Sequence, residues 1–143
     1  MKKLLIKVCG LTDPANIRAI SDLGVDMLGF IFYPASPRNV EGKTPPAAIA
    51  ALGVGQKKVG VFVNDTLAKM YKAADEYGLE CLQLHGQETP EICHRLRATF
   101  PVLKAFPIAT RADFEQTKDY EGACDYYLFD TKGPKSRWQW FCF

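Results

Sequence analysis

The chain has 143 residues, 48% of them hydrophobic and 24% charged, with a formal net charge of +2, which is material for one globular domain with one core. Its 18 basic and 16 acidic residues are interspersed, so nucleic acid or a membrane surface is disfavoured as the main partner and a small ligand is favoured. No apolar run approaches the roughly 18 residues of a membrane span, and Lys7 interrupts the opening Met-Lys-Lys-Leu-Leu-Ile before a secretory segment forms, so a cytoplasmic protein is expected.

Six strands are predicted, at residues 4–8, 27–32, 58–63, 80–84, 102–106 and 126–129, all short, apolar and rich in β-branched or aromatic residues. Helices are expected between them. The first has Thr12 as its cap, Pro14 in the first turn, Ile17, Ile20 and Leu23 on one face and Gly24 at its end. A second starts near Pro45-Pro46 and runs to about Leu52. A third carries Leu67, Met70, Tyr71, Ala74 and Tyr77 at helical spacing, and a fourth starts at Thr89-Pro90-Glu91. The fifth opens on Thr110-x-x-Asp113, a capping-box pattern, and closes before Gly122. Repeated strand and helix units require a parallel sheet, either doubly wound or closed into a barrel, and the pattern alone leaves both open. Neither Gly-x-Gly-x-x-Gly after the first strand nor a phosphate-loop motif is present, which weakens nucleotide-binding readings.

The five cysteines form no Cys-x-x-Cys pair, so they read as reduced thiols, with no zinc site or disulfide framework. Cys81, Cys93 and Cys124 are assigned to packing. Asn64-Asp-Thr66 matches a glycosylation signal by chance in a chain read as cytoplasmic.

Chemistry in parallel β/α folds sits at the carboxyl ends of strands. The polar residues there are Cys9 after the first predicted strand, Asn64 after the third, His85 after the fourth and Asp130 after the sixth. They fall within a run of motifs: Lys7-Val-Cys-Gly-Leu-Thr12, Gly29-Phe-Ile-Phe-Tyr-Pro34 with Ser36-Pro-Arg38, Val59-Gly-Val-Phe-Val-Asn64, Leu82-Gln-Leu-His-Gly86 and Phe129-Asp-Thr-Lys132. In this order the motifs resemble the phosphoribosylanthranilate isomerase family. The resemblance implies an α/β fold of the parallel (β/α)8 TIM-barrel type. It also implies conversion of N-(5-phosphoribosyl)anthranilate to 1-(2-carboxyphenylamino)-1-deoxyribulose 5-phosphate, an Amadori rearrangement in tryptophan biosynthesis, with no cofactor and no metal. By the same resemblance Cys9 is the general base, Asp130 the general acid, and Arg38 the ligand of the anthranilate carboxylate, with His85 lining the site.

These residue types suit the chemistry. A carboxylic acid can protonate the ring oxygen as the ribose opens, and partial burial beside an anionic ligand favours the protonated form. A thiolate held by backbone N–H groups can remove the proton from the neighbouring carbon. An arginine fork matches a carboxylate bidentately. Lys132 is expected to keep the potential positive for a phosphorylated substrate.

A barrel of this type needs at least about 200 residues, so this chain is expected to supply about six of eight strands, with residues 1–134 as a partial barrel domain and 135–143 as an atypical aromatic tail. Loops after strands seven and eight usually form the phosphate site, so the chain by itself is expected to be inactive. It is also expected to form homo-oligomers through exposed strand edges or through Trp138, Trp140, Phe141 and Phe143. The tail back-translates, one nucleotide out of frame, to Gly-Gly-Ser-Gly-Phe-Val, close to a glycine-rich segment of the family, so a frameshift is expected there. The competing reading is a catalytically dead partial barrel that only self-associates or binds a ligand.

Overall fold

The computed structural model describes residues 3–53 and 55–131. Ten regular elements and a long 3-10 helix follow one another in strict strand and helix alternation: β1 (Lys7–Cys9), α1 (Pro14–Asp22), β2 (Met27–Ile31), α2 (Pro46–Ala50), β3 (Lys57–Phe62), α3 (Leu67–Tyr77), β4 (Cys81–Leu84), α4 (Pro90–Arg97), β5 (Val102–Ile108), the 3-10 helix (Arg111–Tyr120) and β6 (Tyr126–Thr131). The strands form one sheet in the order β1-β2-β3-β4-β5-β6, and each is parallel to the next.

That order decides between the two arrangements left open by the sequence. A doubly wound sheet reverses its strand order at a switch point and so carries helices on both faces. Here the order never reverses, so crossovers of one hand place every helix on the same face. The packing agrees. One core joins Leu28, Phe30, Leu82, Leu84 and Val102 of the strands to Ile17, Ile49, Met70, Tyr77, Cys93 and Leu96 of the helices. The other face carries a smaller, strand-only cluster of Met27, Val59, Cys81 and Leu103, against which Leu128 packs. A sheet with helices outside and interlocking strand residues inside is a curled half-barrel.

Several boundaries differ from the sequence expectation for identifiable reasons. Strand β1 begins at Lys7 rather than residue 4, because its ladder partner β2 begins at Met27, and Leu4, Leu5 and Ile6 are exposed. Cys9 is therefore the last residue of β1, and Asp130 lies within β6, which runs on to Thr131. The cap of α1 is Asp13, not Thr12: the Asp13 carboxylate accepts the Asn16 N–H at 2.8 Å. The fifth helix is a 3-10 helix with no buried residue; it begins where the Asp113 carboxylate accepts the Thr110 N–H at 2.7 Å and the Ala109 N–H at 2.9 Å. Its end is docked by Tyr120, whose hydroxyl donates to the Glu88 carbonyl at 2.7 Å and whose ring meets Phe106 edge-on at 5.1 Å. The aromatic tail lies outside the described residues. No helix among the described residues is long and apolar enough to cross a membrane.

Candidate active site

Side chains alternate between the two faces of a strand, and register partners on adjacent strands share a face. The register Cys9–Gly29–Val59–Cys81 therefore puts Cys9 on the inner face with the Val59 and Cys81 cluster. Gln83 lies two residues beyond Cys81 and is paired to Leu103, which is paired to Tyr126. Asp130, four residues beyond Tyr126, is on the same inner face. Cys9 and Asp130 thus stand on one face of one sheet, both at the carboxyl ends of their strands.

Around Cys9 the backbone is shaped by close approach. A Cβ on Gly29 would lie 2.8 Å from Cys9 Sγ, so the thiol rests directly over the glycine. Gly10, at φ +81°, lies under the Arg38 side chain: a Cβ there would come within 2.5 Å of Nη1. Arg38 is thereby laid across the residue next to Cys9. Bonds at its start, middle and end help to hold its loop. The Arg38 N–H donates to Ser36 Oγ at 3.1 Å, the Val40 N–H donates to the Ile31 carbonyl at 2.8 Å, and buried Thr44 donates to the Thr12 carbonyl at 2.5 Å.

His85 extends the β3–β4 ladder, its N–H donating to the Phe62 carbonyl at 2.9 Å. Its ring joins two inward side chains. Nε2 is 3.1 Å from Asp130 Oδ2, and Nδ1 is 3.0 Å from Gln83 Nε2. Because an amide nitrogen can only donate, Nδ1 is the acceptor, and the ring hydrogen of the neutral imidazole sits on Nε2, directed at Asp130. Burial pushes the His85 pKa below its ordinary value, against the bond to Asp130, which raises it, while the charges of Lys104 and Lys7 lower it further. The imidazole is therefore neutral at pH 7. The Asp130 side chain is 40% exposed against 13% for His85, so the carboxyl is the more accessible end of the pair.

The loop after β4 rests on a buried network. Glu88 accepts the N–H groups of Asn64 at 2.8 Å and Gly86 at 2.9 Å, and faces Lys104 Nζ at 3.4 Å with both side chains 3% exposed or less. Lys104 also donates to the carbonyls of Gly86, Ala105 and Leu84 at 2.8, 3.0 and 3.3 Å. Asn64, at φ 53°, a conformation asparagine tolerates, accepts the Gln87 N–H at 2.6 Å. Asn64 thus bonds the β4–α4 loop from the neighbouring strand end.

Of the residues singled out in the sequence, the structure brings Arg38 to the Cys9 loop and His85 to Asp130; Lys132 lies outside the described residues. Sequence reasoning passed over Gln83, Lys104 and Glu88. The signal for Gln83 was parity, a polar residue two before His85 and hence on the same inward face.

A family model for N-(5'-phosphoribosyl)anthranilate (PRA) isomerase matches residues 6–138. This chain belongs to the PRA isomerase family. A relative from Parabacteroides distasonis, N-(5'-phosphoribosyl)anthranilate isomerase, is 47% identical over 96% of this chain and 65% of its own length. The solved PRA isomerase from Thermotoga maritima matches the fold with a TM-score of 0.82 at 31% identity, over 93% of this chain and 64% of that one. A PRA isomerase solved in complex with reduced 1-(o-carboxyphenylamino)-1-deoxyribulose 5-phosphate gives a TM-score of 0.80 at 30% identity, over 90% of this chain and 66% of that one. The chain spans 60–65% of the length of the first two curated relatives it matches. The two solved PRA isomerases match its fold over nine-tenths or more of the chain.

Proposed function

We propose that this chain carries the acid and base machinery of a PRA isomerase, acting on N-(5-phosphoribosyl)anthranilate in the cytoplasm by an Amadori rearrangement in tryptophan biosynthesis. The observation that carries the reading is the inward bond between His85 and Asp130 on the same sheet face as Cys9, within a member of this family. Asp130 is the acid: it delivers a proton to the ribose ring oxygen as the ring opens to a Schiff base. Cys9 is the base: it takes the proton from the adjacent sugar carbon, giving the enol that becomes the ketose. His85 orients Asp130. Arg38 presents a planar, permanently charged fork beside the base, suited to the anthranilate carboxylate, and Lys132 adds positive potential for the phosphate. No step in this sequence calls for a cofactor.

The direct test is product formation from N-(5-phosphoribosyl)anthranilate by this chain, and by a chimera in which the Parabacteroides distasonis relative supplies the remaining length. Turnover by the chimera is expected; a folded chimera without turnover would sink the reading. In that chimera Arg38→Ala is expected to raise KM about tenfold or more with a smaller change in kcat, because the carboxylate is held in ground and transition states alike. Steady-state kinetics at saturating substrate separates the two parameters.

Self-association belongs to the same proposal. Among the described residues β1 and β6 are the outer strands of the sheet, and apolar side chains stand exposed beside them, Leu4 three residues ahead of β1 at 81% and Phe129 of β6 at 55%. Outer strands flanked by exposed apolar side chains pair readily with a second copy. Light scattering of the 143-residue chain at tens of micromolar is expected to give a dimer or larger species. A monomer at that concentration would remove this part of the proposal.

A further inference from the structure

Gln83 is buried on the inner face, and its amide is used only by half: Nε2 meets His85 Nδ1 at 3.0 Å, while Oε1 is buried without a hydrogen-bond partner among the described residues. An unsatisfied buried carbonyl costs free energy that most sites avoid. The two ends of a side-chain amide are nearly the same size, and a half-turn about the last side-chain bond exchanges them. In the orientation present, the ring of His85 bears its hydrogen on Nε2 and directs it at Asp130 Oδ2. In the other orientation Oε1 meets Nδ1 and can accept a hydrogen from it, which frees Nε2 to accept one from a protonated Asp130.

We infer that Gln83 is a positioning residue for the acid step: the orientation of its amide selects the tautomer of His85, and through it whether Asp130 holds a proton to deliver. The inference deepens the isomerase reading and rests on it for the role of Asp130. The proton count is simple. The first state has a carboxylate and a hydrogen on Nε2. Gain of one proton from water places a hydrogen on Nδ1, passes the Nε2 hydrogen along the 3.1 Å bond to Oδ2, and turns the amide so that Oε1 accepts. Asp130 then gives its proton to the substrate, and the starting state returns when Nδ1 loses a proton to water, Nε2 takes one from water and the amide turns back.

The surroundings favour storing the proton on the carboxyl rather than as an imidazolium. Among the described residues, His85 bonds Asp130 of β6 and Gln83 of β4, and the charges of Lys7 on β1 and of Lys104 on β5, the latter against Glu88, act on its ring. Burial of the ring opposes a charge on it, and so do the two lysines. A neutral relay, with the amide as its terminal acceptor, avoids that charge.

Nitrogen-15 spectra of histidine-labelled protein read the tautomer directly. The chain holds two histidines, and His94, exposed on α4, can be removed as His94→Gln to leave His85 as the single imidazole. At pH 8 the hydrogen is expected on Nε2. As the pH falls a hydrogen appears on Nδ1, and in Gln83→Leu the midpoint of that change drops by about one pH unit or more, a tenfold loss in proton affinity. Gln83→Glu, with a carboxylate facing Nδ1, is expected to hold the hydrogen there already at pH 8. A parent protein with hydrogen on Nδ1 at pH 8, or one titration common to the parent and every folded variant, overturns the inference. In the active chimera, Gln83→Leu is expected to lower kcat about tenfold with KM within about twofold; an effect confined to KM also overturns it. A chimera without turnover sinks the isomerase reading, and the imidazole spectra then decide the tautomer role of Gln83 independently.

Discussion

Asp130→Asn in the chimera is expected to lower kcat by roughly 10²-fold or more, the usual scale for a general acid. The variant keeps the size of the side chain and can still bond His85 Nε2 at the present 3.1 Å separation, so the fold and KM should change little. What is lost is the transferable proton, and a loss made only in the transition state lowers kcat and kcat/KM together. Cys9→Ala should give a loss of the same order by removing the proposed base, while leaving Gly29 without the thiol that now rests on it. Pre-steady-state and steady-state kinetics on the two variants check this. Near-normal kcat in Cys9→Ala would remove the thiol from the mechanism, and near-normal kcat in Asp130→Asn would move the acid elsewhere.

The alternation of elements was legible because parallel strands buried on both faces read as short apolar runs, and because α3 and α4 begin at residues whose side chains accept the cap bonds, Thr66 and Thr89. Strand order was not legible. It depends on which pairs of strands meet, and apolar runs such as 27–32 and 58–63 carry no label for their neighbours. The candidate site was legible where a polar residue ended an apolar run, as at Cys9 and His85. Lys104 was read only as part of an apolar strand, because a lone lysine between Leu103 and Ala105 gives no hint of a partner. That partner, Glu88, is 16 positions away in a loop whose sequence, Gly-Gln-Glu-Thr, reads as surface. Their meeting depends on the parallel pairing of β4 with β5, which brings Leu84 beside Lys104. Thr12 was read as the cap where Asp13 serves, because both residue types cap well and only the chain's direction on leaving β1 selects between them.

The largest expected effect on stability comes from that same pair. Lys104→Met would leave the Glu88 carboxylate, 1% exposed, with only the N–H groups of Asn64 and Gly86. It would also strip a donor from three carbonyls. Removing one member of a buried ion pair costs about 3–5 kcal/mol, because the remaining charge cannot recover its hydration. For a domain of this length that corresponds to a fall in Tm of roughly 10 °C or more. Glu88→Gln should destabilise as well, and by less, since its amide oxygen can still accept one N–H and one Lys104 bond. The double variant Lys104→Met, Glu88→Gln is expected to be more stable than the sum of the two single losses predicts, because no buried charge is left unpaired, and a double-mutant cycle measures that coupling. Urea denaturation of the four proteins decides the matter: a loss under about 1 kcal/mol in Lys104→Met would show the pair to be dispensable. The consequence reaches the site. The pair fixes the Gly86 carbonyl and N–H, the residue directly after His85, so in Lys104→Met the His85–Asp130 bond should loosen before the sheet unfolds. Hydrogen exchange would reveal this as faster exchange at residues 85–88 than in β2 and β3.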